Sequence, residues 1–126
     1  MRYLIAVLIG LHGVAHLVGF AVAWQILAFP ELHYKTTVLG GLVDIGHAGT
    51  QLLGVLWLAT ALSCVIAGSA IWEGATWSVP FAMAVTLFSL ALCLTALPET
   101  RIGVLMNVAL LAILLVPRLA SVPGLS

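Results

Sequence analysis

The run IGHAGTQLLGVLWLATALSCVIAGSAIW occupies positions 45–72 and contains no charged residue between Asp44 and Glu73. A transmembrane helix needs about 20 consecutive, mostly apolar residues, and this run exceeds that length. Its continuous apolar character is typical of a helix, because a membrane barrel strand alternates apolar and polar side chains over about ten residues. The run therefore predicts a membrane-spanning helix.

The rest of the chain divides in the same way at its few charged residues. The apolar stretches predict four spans, at about 3–27, 47–71, 78–97 and 102–117. The fourth is short for a span, so we expect it to lie with little tilt or to thin the bilayer locally. Only the residues Pro98-Glu99-Thr100-Arg101 link spans three and four, which predicts an antiparallel hairpin. The predicted architecture is an all-α, transmembrane four-helix bundle that forms a single domain over residues 1–126.

The composition excludes several classes of protein. Of the 126 residues, 63% are apolar and 6% are charged, whereas a soluble domain carries about a quarter charged residues. The net charge is zero, which offers no basic patch for nucleic acid. The sequence contains neither a phosphate-binding loop nor a dinucleotide fingerprint, and it has no G-x-S-x-G or H-E-x-x-H motif. We therefore expect a multi-pass protein of the cell membrane whose first partner is the lipid bilayer, with no nucleic acid or nucleotide partner.

Each predicted span carries one face of small or polar residues at helical spacing, and this face is expected to point into the bundle. At 1.5 Å per residue, His16 lies about 12 Å below Trp24, and Asn107 lies about 9 Å below Arg101. These similar depths predict a polar ligand pocket. Its predicted lining is His16, Gln51, Asn107, Ser89 and Cys93, with Asp44 and His47 at its mouth. The alternative is that these residues serve only to pack the helices closely.

Two histidines, His12 and His16, are spaced i, i+4 on one helical face and are able to chelate one metal ion. His47, oriented by Asp44, is a third candidate metal ligand. It lies too shallow to join the pair unless residues 36–46 fold back into the membrane as a re-entrant loop. Haem is a second candidate cofactor, but it needs two histidines on different helices at one depth. The alternatives are that each imidazole bonds a neighbouring helix, and that Asp44 stabilises the start of the second span.

The orientation in the membrane rests on few charges. With four spans, Arg2 and Arg118 lie on one side, and Lys35 and Arg101 lie on the other. Because Arg2 directly precedes the first span, we expect both termini to be cytoplasmic. An alternative interpretation treats the first span as a signal peptide cleaved after residues 21–23, although two histidines are unusual in such a segment.

Four strings carry a resemblance to a known kind of protein: LHGVAHLVGF, YKTTVLGGLVDIGHAG, GVLWLATAL and RIGVLMNVALL. Together they cover about half of the chain, and they resemble small four-span bacterial integral membrane proteins of no established function. The chain is also distantly similar to DoxX-like proteins, in size and topology only. The resemblance implies the four-span architecture and no particular reaction.

Three functions follow from these features. The first is a non-enzymatic transport or accessory component that uses the predicted pocket, and no residue is assigned as catalytic. The second is a metal- or haem-binding redox protein that uses His12 and His16 with His47. The third is a structural subunit of a membrane complex. In each case we expect a homo-oligomer or a complex with another membrane protein, because the small-residue faces exceed what four helices bury.

Overall fold

The computed structural model describes the backbone of residues 1–120 and the side chains of residues 1–117. Within that part the chain forms four α-helices: α1 (Arg2–Ala23), α2 (Gly46–Glu73), α3 (Ser78–Thr95) and α4 (Arg101–Ala120). The first three are long and apolar enough to cross a membrane, and α4 contains a shorter apolar stretch, Arg101–Pro117. The predicted all-α four-helix bundle is thereby confirmed. The side chain of Arg118, which entered the charge comparison, lies outside the described residues.

Two helix ends differ from the predicted span limits. Helix α1 ends at Ala23 because Gln25 takes a φ of 57° and the Ile26 amide donates back to the Ala21 carbonyl at 2.7 Å. Helix α4 continues through Pro117 to Ala120. Hydropathy locates an apolar run, but the end of a helix depends on where the backbone turns, and the two need not coincide.

Each helix packs against the next one along the chain. Helix α1 packs most extensively against α2, while α3 contacts both α2 and α4. A narrower contact between α1 and α4 closes the bundle. The buried apolar side chains form a core drawn from all four helices, and it includes Ile9, Cys64, Ala67, Ile71, Ala82, Val85, Leu110 and Leu114.

Glycine allows α1 and α2 to approach closely. A Cβ atom at Gly13 would lie 2.6 Å from Cys64 Cβ and 3.0 Å from the Ala61 carbonyl oxygen. At the other end of the interface, a Cβ at Gly68 would lie 2.9 Å from the Ala6 carbonyl oxygen. Both positions therefore bring the two backbones nearer than any other residue type would permit, as is typical of helix pairs in membranes.

The segment between α1 and α2 contains a feature that the sequence analysis missed. Strands β1 (Thr37–Val38) and β2 (Val43–Asp44) pair antiparallel, with Val38 opposite Val43. The turn between them holds Gly40 and Gly41 at positive φ. The Leu39 amide donates to the carbonyl of Thr95, the last residue of α3, so this hairpin lies at the helix ends rather than as a re-entrant loop.

An ion pair ties the same segment to the turn between α3 and α4. The Lys35 ammonium donates to Glu99 Oε1 at 2.6 Å, and both side chains are about one-quarter to one-third exposed. The hydrogen bond from Lys35 lowers the pKa of the Glu99 carboxyl below its ordinary value of 4.5. The pair thus fixes the α1–α2 loop to the other hairpin at one end of the bundle.

We expect Glu99→Gln to lower the free energy of unfolding by about 0–1 kcal/mol at neutral pH, the range for partly exposed ion pairs. Because the pKa of Glu99 is lowered on folding, its contribution is present above the ordinary Glu pKa and is lost as pH falls through the folded value. Thermal unfolding of both proteins in detergent should therefore differ at neutral pH and converge in acid. A difference that grows in acid would contradict this assignment.

Candidate functional site

A cluster of five polar or thiol side chains is buried where α1, α3 and α4 meet. Its members are His12 and His16 from α1, Ser89 and Cys93 from α3, and Asn107 from α4. We call this set the histidine cluster. His16 is 3% exposed, and both Ser89 and Asn107 are fully buried. Polar groups buried to this extent need hydrogen-bond partners, because an unpaired buried polar group costs free energy.

The serine hydroxyl is the common partner of both histidines. The Ser89 Oγ atom lies 2.6 Å from His16 Nε2 and 3.0 Å from His12 Nε2. His12 Nε2 also lies 3.1 Å from Asn107 Oδ1. One short network therefore joins α1 to α3 and to α4.

The geometry assigns a direction to these hydrogen bonds. The Asn107 amide nitrogen donates to the Gly103 carbonyl at 2.9 Å and approaches Cys93 Sγ at 3.5 Å, which leaves Oδ1 as an acceptor. His12 must then carry its proton on Nε2 in order to donate to Asn107 Oδ1. With His12 as donor, the Ser89 hydroxyl is free to donate its own proton to His16 Nε2. Asn107 thereby sets the tautomers of both histidines.

Helix α2 completes the enclosure with an aromatic ring. The indole of Trp57 lies 5.0 Å from the imidazole of His16, centroid to centroid. The two imidazoles lie 4.7 Å apart in an edge-to-face arrangement. Trp57 is 6% exposed, so it covers the cluster on the side of α2. All four helices thus contribute to the surroundings of the two histidines.

Three of the predicted pocket residues lie elsewhere. The Asp44 carboxylate accepts from the Gly46 amide at 2.9 Å, and this bond lowers the pKa of Asp44. His47 is exposed in the first turn of α2, where its Nδ1 atom is hydrogen-bonded to the Tyr34 hydroxyl. Gln51 is partly buried, and its main-chain carbonyl oxygen accepts a hydrogen bond from the indole N–H of Trp24. The structure therefore brings together His16, Ser89, Cys93 and Asn107, but not the residues expected at the mouth.

The structure does not bring the three predicted metal ligands together. His12 and His16 direct their Nε2 atoms to one point, but the Ser89 hydroxyl occupies it. His47 is engaged at the end of α2 and does not join them. Among the described residues, no three His, Cys, Asp or Glu side chains are placed to share a metal ion. The two cysteines, Cys64 and Cys93, are both buried as free thiols.

A cleft opens beside the histidine cluster. It has a volume of about 140 Å³ and lies between α1, α2 and the α1–α2 loop, at the end of the bundle that carries Lys35 and Thr100. Trp57 lines this cleft as well as packing on His16. The cleft is therefore adjacent to the cluster but separate from it. We call it the loop cleft.

The sequence analysis predicted His12 only as a metal ligand, and it missed Trp57. The His12 side chain reaches the same serine as His16. Its i, i+4 spacing from His16 was the available signal, since such side chains lie on one face. Trp57 lies mid-helix, unlike Trp24, Trp72 and Trp77, and a tryptophan away from the interfacial belt points to an inward position.

Chemically, the histidine cluster is a closed hydrogen-bonded network. Among the described residues, every fully buried side-chain nitrogen and oxygen has a hydrogen-bond partner. Such a network favours one arrangement of α1, α3 and α4, since a slip of any of these three helices would leave a polar group unpaired. Comparison of the chain with protein-family models, with curated proteins and with solved structures finds no match.

Proposed function

We propose that this chain is a multi-pass membrane protein with four spans that acts as a non-enzymatic accessory component. In this role the histidine cluster fastens α1 to α3 and to α4. The observation that carries the proposal is the set of hydrogen bonds by which His12 and His16 of α1 reach Ser89 of α3 and Asn107 of α4. A transport pocket within the cluster is less well supported, because side chains fill the space between the helices.

Between helices in lipid there is little hydrophobic driving force, so packing and hydrogen bonds must hold the bundle together. Helix α1 meets α4 only narrowly, and the bond from His12 to Asn107 lies across that gap. The cluster therefore supplies cohesion where apolar packing is thinnest.

The exposed apolar surface supports a lipid environment and contacts with other membrane proteins. Large apolar side chains are exposed on every helix, among them Leu11, Leu62, Phe88 and Leu105. Contiguous exposed apolar surface of this kind marks a lipid or protein interface. We assign the outer face to lipid, the termini to the cytoplasm, and further contacts to a second copy or another membrane protein.

The test is replacement of each histidine by leucine, separately. We expect His12→Leu and His16→Leu to insert into membranes but to lower the free energy of unfolding in detergent by about 1–2 kcal/mol, the range for model interhelical hydrogen bonds. Leu11→Ala, on the exposed side of the same helix, is the control and should change stability much less. Full stability in both histidine variants would contradict the fastening role.

A metal-binding role is the second candidate, and the convergence of His12 Nε2 and His16 Nε2 favours it. Both atoms lie within 3.0 Å of the Ser89 hydroxyl, so rotation of that side chain would free a point between two imidazoles. Elemental analysis and an absorption spectrum of the purified protein decide between the candidates. Stoichiometric metal or a Soret band that disappears in both histidine variants would support the second candidate.

A further inference from the structure

We propose that the loop cleft is a binding site for a neutral amphiphile whose apolar part has the size of one aromatic ring. This site lies outside the histidine cluster, and the proposal stands whether or not the cluster has the fastening role. It rests on four features of the cleft: its volume, its walls, its position along the bundle and the charge at its rim.

The volume sets the size of the ligand. At about 140 Å³, the loop cleft is close to the engineered cavities of about 150 Å³ that bind benzene. It is smaller than a drug-sized pocket of about 300–1,000 Å³, so its volume matches a single ring.

The walls favour an apolar, flat group. The α1 side of the cleft is wholly apolar, with small residues at helical spacing, Ala15, Gly19 and Ala23, beside Val18 and Val22. A Cβ at Gly19 would lie 2.7 Å from Trp57 Cδ2, so the indole rests directly on that glycine. Trp57 thereby presents a fixed aromatic wall, and aromatic pairs gain about 0.5–1.5 kcal/mol beyond their area burial.

The position of the cleft suits a molecule that partitions into membranes. The lining includes residues from the last turns of α1, the first turns of α2 and the turn after α3, which are the helix ends on one side of the bundle. This side corresponds to the interface between lipid and water, where amphiphiles concentrate. A ligand would reach the cleft from the interface without crossing the bilayer.

The rim determines the charge of the ligand. Lys35 lines the cleft, and its ammonium is paired with Glu99, so the two charges cancel. An ammonium has three donors and Glu99 takes one, which leaves capacity for a neutral hydrogen-bond acceptor. A carboxylate would have to compete with Glu99, and a cation would meet Lys35. The rim therefore favours a neutral polar substituent such as a hydroxyl or carbonyl.

Three hydroxyl groups around the rim are already engaged by the protein. Thr50 donates to the Gly46 carbonyl, Thr100 donates to the Cys93 carbonyl, and Tyr34 is bonded to His47. These bonds hold the polar edge of the cleft in place and leave Lys35, together with His33 and Thr37 of the lining, to bind a polar substituent. Recognition thus combines polar groups at the rim with one aromatic wall inside.

The test uses three probes of similar size that differ in charge: benzyl alcohol, benzoate and benzylamine. The protein is a Trp24→Phe, Trp72→Phe, Trp77→Phe variant in detergent, so that Trp57 is the remaining fluorophore. The three replaced tryptophans are 42–52% exposed, so the bundle should tolerate their loss. We expect saturable change in Trp57 emission with benzyl alcohol, and at least tenfold weaker binding of benzoate and benzylamine.

Two matched variants control for partitioning of the probes into the detergent. Ala15→Phe places a ring in the cleft and should abolish the saturable change, whereas Ala112→Phe, exposed on α4 and outside the cleft, should preserve it. The indole N–H resonance of Trp57 in the otherwise unchanged chain repeats the comparison without the tryptophan substitutions. Tighter binding of benzoate, equal responses in the two phenylalanine variants, or no saturable response to any probe would overturn the proposal.

Discussion

Gly13→Ala is expected to lower the free energy of unfolding by about 1–3 kcal/mol, the range for overpacking a close-packed interior. The added Cβ would lie 2.6 Å from Cys64 Cβ and 3.0 Å from the Ala61 carbonyl oxygen, and neither atom is the end of a flexible side chain. Helices α1 and α2 must therefore separate, which weakens the most extensive interface of the bundle.

Gly10 provides the matched control on the same helix. A Cβ at this position meets no heavy atom of the described residues within 4 Å. Because glycine inside a helix is less stable than alanine by about 0.5–1 kcal/mol, Gly10→Ala should leave stability unchanged or raise it. Unfolding by a denaturing detergent, monitored by far-UV circular dichroism, measures both variants. Equal effects at the two positions would show that α1 and α2 do not approach at Gly13 as described.

The sequence was sufficient to predict the helices because each contains a long, nearly uncharged apolar run. The run at 45–72 and the predicted span 78–97 correspond to α2 and α3 to within a few residues. The small hairpin at 37–44 was missed because two-residue strands carry almost no periodicity. The pair Gly40-Gly41 was the available turn signal, since such dipeptides mark tight turns.

The sequence predicted the members of the site only where their depth along the helices was sufficient to bring them together. Depth along the helices placed His16 and Asn107 at similar levels, and both lie in the histidine cluster. Depth alone does not determine side-chain reach, which brings His12 to the same serine as His16. The interpretation of Asp44 as a stabiliser of the second helix agrees with its bond to the Gly46 amide. The position of Asp44 is therefore explained by its bond to the nearby backbone rather than by a role in a pocket.

The second large effect on stability is expected at Ser89, whose hydroxyl contacts both histidines. Ser89→Ala removes the hydroxyl that both histidines share, so two interhelical hydrogen bonds disappear with one oxygen atom. Such bonds average about 0.6 kcal/mol each in a membrane protein, with a maximum of about 1.7. His16 Nε2 is also left without its described partner, and an unpaired buried polar group costs about 1–3 kcal/mol. We expect a total loss of about 1–3 kcal/mol in the free energy of unfolding.

A control variant and a double-mutant cycle test whether the effect of Ser89→Ala comes from its hydrogen bonds. Ser69→Ala, exposed on α2, makes the same chemical change away from the cluster and should alter stability by less than about 0.5 kcal/mol. A double-mutant cycle with His16→Leu then isolates the contact itself, since residues that share a hydrogen bond show coupling of about 0.5–3 kcal/mol. If the effects of Ser89→Ala and His16→Leu add independently, the serine does not hold that histidine, and the fastening of α1 to α3 must be assigned to apolar packing. If they are coupled, His12→Leu should couple to both Ser89→Ala and Asn107→Leu, because its Nε2 atom is the one that contacts both partners.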